Sequence, residues 1–454
     1  MIDRTATWIA AAAGGELLGG AAGCEGPGPR RVEFEPPDST PEDLFVALGV
    51  AGRDPLEQAT TALERGAWGL LAKPEVAAKF RNAGRPVIAA DDSGHALRLL
   101  ARAWRRELGA TVIAVTGSSG KTSTKDILRA LLEPVCRVHA NWRNFNNQIG
   151  MPITILQAER GTDVLVLELA TRELGGVASL SSYAEPDLGV LVNIGPAHLK
   201  LFGGLLAVAE AKAELIAALP AGGTCVIPAC EPLLDPYLRD DLDTVRFGDS
   251  GEVTLRSFSD GLAEIDARGH TITLELAYDQ PYNLTNTLAA VAAATALGYT
   301  PAGRVDPDFS PGRGQRIPLA GEITLIDNTY NANPSSVMAV LNHLATVPAT
   351  RRVAVLGFIS GLGREREHYH REVGRHAHSL GIDVLITVAG PAAEMAIGFG
   401  GVTHHAQGPG HATTILNRVL RPGDVVLLMG SSLSGLDRVG DRLRAERALE
   451  PARS

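Results

Sequence analysis

Thr111-Val-Ile-Ala-Val-Thr-Gly-Ser-Ser-Gly-Lys-Thr122 is the stretch on which the fold turns. An apolar run of strand length, Thr111 to Val115, enters a glycine loop, and a helix is expected from about Ser123 to Leu132. The loop fails the strict phosphate-loop pattern, because Val115 stands where the first glycine belongs. The physics survives the shortening. Glycines let backbone N–H groups turn inward on phosphate oxygens, and the helix N-terminus adds positive potential. Lys121 can reach β- and γ-phosphates, and the Thr122 hydroxyl can ligate Mg²⁺. Gly117, Ser118, Ser119, Gly120, Lys121, Thr122 and Ser123 are therefore the expected phosphate-binding set; the alternative is a glycine turn with an incidental lysine.

Outward from this stretch, strand and helix alternate through Val164–Leu167, Leu188–Val192 and Cys225–Ile227, which argues for a mostly parallel sheet covered on both faces. Val253 to Leu276 then alternates as antiparallel strands do, and Asn286 to Leu297 is an alanine-rich helix. Asp306 to Gly314 has linker composition. Beyond it the alternation restarts in a third unit of dinucleotide-binding type, with strands at Ile323–Ile326, Val353–Leu356, Val384–Thr387 and Val425–Leu428 and helices at Ser335–Leu344 and Glu367–Leu380. Upstream, Leu44–Leu48 and Trp68–Ala72 read as buried strands, and Ser93–Leu108 as a helix with a basic outer face. The expected architecture is α/β in three domains: a small N-terminal α/β domain (1–108), a central phosphate-loop domain (109–312) and a Rossmann-like C-terminal domain (313–454). The length of 454 residues agrees, at about 150 residues per domain.

Composition excludes several function classes. Hydrophobic residues make up 45% and charged residues 20%, which disfavours disorder and fibrous repeats. A net charge of −9, from 42 basic and 51 acidic residues, gives no footprint for nucleic acid. Cys24, Cys136, Cys225 and Cys230 are too scattered for a disulfide frame or a zinc knuckle. The apolar segment at Trp8 is a short amphipathic helix, and no apolar run reaches the ~18 residues a spanning helix needs. A cytoplasmic protein with no membrane partner is expected.

Three further residues carry chemistry with less force. Glu168 ends a core strand at the carboxyl edge of the sheet, where doubly wound folds bind ligands, and its carboxylate suits a nucleotide's Mg²⁺. By spacing alone it is equally a solvated strand-end acid. His198, in Asn193-Ile-Gly-Pro-Ala-His198, is on its own more often a packed residue than a ligand. Lys212 reads as part of a solvated helix face.

These segments together resemble the Mur ligase family: the Thr116–Thr122 loop, Asn144-Phe-Asn-Asn-Gln-Ile-Gly-Met-Pro152, Asn193–His198, Phe202-Gly203 and Ala211-Lys-Ala-Glu214. Asp327-Asn-Thr-Tyr-Asn-Ala-Asn-Pro334, Val355-Leu-Gly357 and His370 are similar to its branch that adds D-alanyl-D-alanine to a UDP-muramoyl-tripeptide. The resemblance spans most of the chain in motif order. It implies an N-terminal domain for the substrate's nucleotide, a central ATPase and an ADP-forming ligation of a carboxylate to an amine through an acyl phosphate. It implies two Mg²⁺ ions, one held by Thr122 and Glu168 and a second by His198, with Lys212 carbamylated to an anionic oxygen ligand. A buried lysine loses its proton more readily, as that reaction requires. Asn283 and Asn286 match asparagines near the adenine, Arg313 an interdomain arginine near the phosphates, and Asp327, Asn328 and Asn331 the neighbourhood of the nucleotide. Lys121, His198, Lys212 and Arg313 are the expected catalytic residues, acting on small-molecule carboxylate and amine substrates in a monomer.

Departures from the family's pattern cluster on the substrate side. Its N-terminal Asp-Ser-Arg falls on Glu35-Pro-Pro37, and the nearby Asp38-Ser-Thr40 also lacks the arginine that would grip a diphosphate. Gln280-Pro-Tyr282 replaces a glycine–basic–histidine segment. Gly357-Phe-Ile-Ser-Gly-Leu-Gly363 lacks two acids of Gly-Asp-Met-x-Glu-Leu-Gly, and Met429-Gly-Ser-Ser432 lacks two cations of Lys-Gly-Ser-Arg. Three readings compete: a ligase with a non-standard donor or acceptor in a specialised pathway, the cell-wall ligase itself, or a non-catalytic nucleotide-binding partner. The intact metal-centre residues disfavour the last.

Overall fold

The computed structural model describes residues 3–19, 26–142 and 145–448; Cys24 and Asn144 lie outside them. Three sheets organise the described residues, of five, ten and six strands. The first runs Glu16–Gly19, Val87–Ala89, Gly69–Ala72, Asp43–Val46, Arg31–Glu33, parallel except for the Glu16–Gly19 edge. In the second, Val138–Ala140, Val164–Glu168, Thr111–Thr116, Leu188–Leu191, Thr224–Pro228 and Asp243–Phe247 lie parallel. The interior strands Val164–Glu168 and Leu188–Leu191 are buried along their whole length, as helices on both faces require. An antiparallel meander, Val253–Ser259, Leu262–Ala267 and His270–Leu276, extends this sheet. The third sheet is parallel from Ile323–Asn328 to Val402–Ala406, with Gln315–Leu319 antiparallel at its edge.

Two features of this fold position the site. The chain leaves Thr111–Thr116 toward one side of the sheet and Leu188–Leu191 toward the other, so the loops after these neighbouring strands face each other across a crevice. The helix Lys121–Leu132 then packs on the alanine-rich helix Pro281–Ala296, where Ala289, Ala290, Ala292, Ala293 and Ala294 are buried and let the backbones approach.

Several expected boundaries move. The alanine-rich helix starts at Pro281, not Asn286, because proline at the first helical position fits its fixed φ and brings the polar turn Tyr282–Thr285 into the helix. The helix after the loop starts at Lys121, directly against Gly120. The linker from Asp306 to Gly314 is irregular but tied down, with Ser310 N–H donating to Asp126 (3.2 Å). The basic face of Ser93–Leu108 is exposed at Arg106 but ion-paired along its length. Arg102, Arg105 and Arg106 reach Glu185 and Asp187 of the central sheet's periphery, and the two arginines at Glu185 hold its carboxyl down at about 2. On the opposite face Trp104 is fully buried and donates its indole N–H to Ala158 O (3.0 Å). One apolar cluster therefore runs from Leu44 and Ile88 of the first sheet to Leu165 and Leu167 of the second.

Candidate active site

The glycine loop has the shape its composition requires. Gly117 and Gly120 adopt φ of 147° and 77°, and a Cβ on Gly120 would stand 2.6 Å from Asn286 Oδ1. Only glycine fits there, and the fit leaves a cradle lined by backbone. Across the crevice Ser118 N–H donates to Asn193 O (3.0 Å) and Ser119 N–H to Asn193 Oδ1 (3.0 Å). Lys121 folds back onto its own loop, Nζ to Gly117 O at 2.8 Å. Burial pushes its pKa down and Arg313 adds to this, while Glu168 opposes both. A bound polyphosphate would supply the missing anion.

Glu168 is buried at the end of its strand. Its Oε2 accepts from Thr122 Oγ1 (2.8 Å) and its Oε1 from Asn146 Nδ2 (2.8 Å). Arg313, crossing from the linker, donates to Thr122 Oγ1 (3.1 Å) and lies 4.0 Å over the Tyr330 ring. Among the described residues no group of three or more His, Cys, Asp and Glu side chains converges as a metal cage. One hydroxyl and one carboxylate beside a phosphate cradle suit Mg²⁺, which keeps waters and takes further oxygens from the phosphates themselves.

His198 and Lys212 line the same cavity, of about 1190 Å³. His198 takes a left-handed φ of 54° as the residue before the helix Leu199–Phe202. Burial first, then the charges of Arg172, Lys121 and Lys212, lower its pKa to about 4. The imidazole is thus neutral at pH 7 and offers a lone pair. Lys212 is 3% exposed, with Nζ 5.8 Å from the Phe202 ring centroid. Burial and Lys121 lower its pKa to about 7, so the expectation of a solvated face gives way to a buried amine that sheds its proton near neutrality.

The remaining expected residues divide. Asn286, Asn328 and Asn331 line the cavity with Gly117–Ser123. Asn283 and Asp327 do not. Asn283 is fully buried behind Asn286, accepting its amide at 3.1 Å, and Asp327 turns to Arg444 (3.1 Å) and Thr329 Oγ1 (2.7 Å). The departing C-terminal segments come together, Ser431 Oγ donating to Ser360 Oγ at 3.0 Å, and Ser360 and Met429 reach the cavity wall. In the N-terminal domain Glu35 pairs with Arg53, and Arg31 grips Asp43 through two bonds of 2.9 and 3.0 Å. Sequence reasoning gave no role to Asn146, Asn193, Arg172 or Glu214. The clustered asparagines of Asn146-Asn147 were the available signal.

Comparison with known proteins bears on this site. Residues 115–294 match the Mur ligase middle domain, and residues 312–432 the glutamate ligase domain of Mur ligases. The chain is 35% identical to the UDP-N-acetylmuramoyl-tripeptide--D-alanyl-D-alanine ligase of Mycobacterium tuberculosis, covering 98% of both chains. It is 34% identical to the enzyme of that name from Bacillus subtilis, covering 66% and 67%. In structure it is similar to the MurF ligase of Thermotoga maritima solved with ADP (TM-score 0.80, 28% identity, covering 92% and 97%). MurF of Acinetobacter baumannii shares the fold (TM-score 0.86, 24% identity, covering 97% and 98%).

Proposed function

The chain belongs to the Mur ligase family of ATP-dependent, ADP-forming ligases, and on that premise we propose that it adds D-alanyl-D-alanine to a UDP-N-acetylmuramoyl-tripeptide in peptidoglycan synthesis. One observation carries the reading: a single cavity joins the phosphate loop, the Thr122–Glu168 pair, a neutral histidine and a buried low-pKa lysine to an arginine from beyond the linker.

The residues divide the work. Backbone N–H groups of the loop and Lys121 bind the phosphates, and Lys121 neutralises charge as the donor carboxylate attacks the γ-phosphorus. The β–γ bridging P–O bond breaks, its electron pair leaves with ADP, and an acyl phosphate remains. The acceptor amine then adds to the acyl carbon, and phosphate departs from the tetrahedral intermediate. Thr122 and Glu168 would hold one Mg²⁺, and His198 with carbamylated Lys212 a second; bound there, the ions would supply Lewis-acid stabilisation of the phosphate oxygens. Arg313 closes the cavity from the C-terminal side, and the reading takes the chain as a monomer.

A second reading has its own observation. Where the family's pattern carries acids and cations, Ser360 and Met429 face the cavity instead, with Ser360 paired to Ser431. That favours an acceptor, or a donor, other than the cell-wall pair. The test is ADP release on mixing ATP, UDP-N-acetylmuramoyl-tripeptide and D-alanyl-D-alanine. Release that needs all three supports the cell-wall reading. Release with other carboxylate and amine pairs alone supports the second, and AMP in place of ADP overturns both.

A further inference from the structure

We infer that Arg172 is the residue that grips the donor's carboxylate and holds it for attack on the γ-phosphate. The assignment rests on the ligase reading above and adds to it a donor-binding residue on the loop after Glu168. Among the described residues, four permanently or conditionally cationic side chains besides His198 line the cavity: Lys121, Arg172, Lys212 and Arg313. Three are committed. Lys121 lies against Gly117 O in the phosphate loop, Arg313 bridges Tyr330 and Thr122, and Lys212 is buried beneath the floor. Arg172 alone of the four is exposed, and among the described residues its guanidinium makes no ion pair or hydrogen bond.

Its backbone, by contrast, is held firmly. Leu169 N–H donates to Val115 O (2.9 Å) and Ala170 N–H to Asn146 O (3.0 Å), the same asparagine that binds Glu168. Thr171 Oγ1 donates to Glu173 O (3.0 Å) and accepts from Glu173 N–H (3.2 Å), closing a tight turn around Arg172. On the far side Glu214 accepts from Gly175 N–H (2.5 Å) and Ala178 N–H (2.9 Å), pinning the loop to the helix that carries Lys212. The loop therefore sets a free guanidinium on the wall of the cavity that Thr122, Glu168 and His198 also line, near enough to His198 for its charge to act there, and Glu214 acquires a job as the loop's anchor.

The chemistry asks for such a group. Two anions, carboxylate and γ-phosphate, must meet, and the cation on the phosphate side is Lys121. A guanidinium fork binds a carboxylate side-on and leaves an oxygen lone pair free for the phosphorus. The C–O–P bond that forms balances the P–O bond lost to ADP.

The experiment is steady-state ADP release with ATP, UDP-N-acetylmuramoyl-tripeptide and D-alanyl-D-alanine, comparing wild type, Arg172→Ala and Arg172→Lys. Losing a charge-assisted bond should raise the donor KM about 10- to 100-fold in Arg172→Ala while the ATP KM holds, and Arg172→Lys should recover part of the loss. Thermal unfolding should be unchanged in both variants, because the side chain is exposed. An unaltered donor KM in an active Arg172→Ala enzyme, or equal rises in donor and ATP KM, overturns the assignment alone. A wild type that releases no ADP overturns the cell-wall reading and the assignment with it.

Discussion

Gly120→Ala tests the reading of the loop at one atom. The native φ of 77° lies in the left-handed region, which costs a non-glycine residue about 1–2 kcal/mol. The added Cβ would also stand 2.6 Å from Asn286 Oδ1 and 3.0 Å from Val192 Cγ1. Asn286 is 5% exposed and donates its amide to Asn283 Oδ1, so its retreat strands buried polar atoms at about 1–3 kcal/mol. The sum is about 2–5 kcal/mol, inside the stability of a typical domain, so the variant should still fold. Gly400→Ala is the matched control, with φ of 66° and nothing within 4 Å of the new methyl. Urea denaturation should show the backbone cost in both variants and the additional clash in Gly120→Ala alone. Calorimetry with ADP should show at least tenfold weaker binding, about 1.4 kcal/mol, for Gly120→Ala and no change for the control. Equal destabilisation of the two variants with equal ADP affinity would refute the argument.

Lys212 has a folded pKa of about 7 against an ordinary 10.5. Between those values the unfolded chain binds the proton and the native one does not, so ligand-free protein loses stability as pH falls from 10.5 and the loss is complete below 7. Lys212→Met should therefore unfold at a higher temperature than wild type at pH 7 in carbonate-free buffer, with the gap closing toward pH 10; a constant gap would contradict the assigned burial. The same variant should form no ADP. Trp104→Ala should cost about 3–5 kcal/mol and unfold the first two sheets together, because the indole lies in the core they share. A loss below about 1 kcal/mol in denaturant titration would contradict that packing.

Legibility followed contiguity. The phosphate loop declares itself because glycines, lysine and threonine are adjacent and the strand before them is apolar. Glu168 and Thr122, 46 residues apart, pair only because neighbouring parallel strands end at one edge. The start of the alanine-rich helix is obscured because Tyr282 to Thr285 reads as a polar turn until Asn286 is seen on the cavity wall with Asn283 buried behind it. Asp327 pairs with Arg444 on the helix Leu436–Glu446, 117 residues away, a contact that no local pattern announces, while its neighbour Asn328 lines the cavity. Lys212 and Arg105 break the usual rule that helix cations face water, since each meets its surroundings only in the assembled fold. Arg172 gives no local sign, and Glu214 stands only as the end of the Ala211–Glu214 motif; their significance is in the loop that Arg172 occupies and Glu214 anchors.

The central claim is that the donor carboxylate becomes an acyl phosphate in this cavity, and oxygen isotope transfer measures it most directly. With UDP-N-acetylmuramoyl-tripeptide labelled by ¹⁸O in its terminal carboxyl, the account expects one labelled oxygen in the phosphate released with ADP. Unlabelled phosphate accompanying amide formation would contradict it.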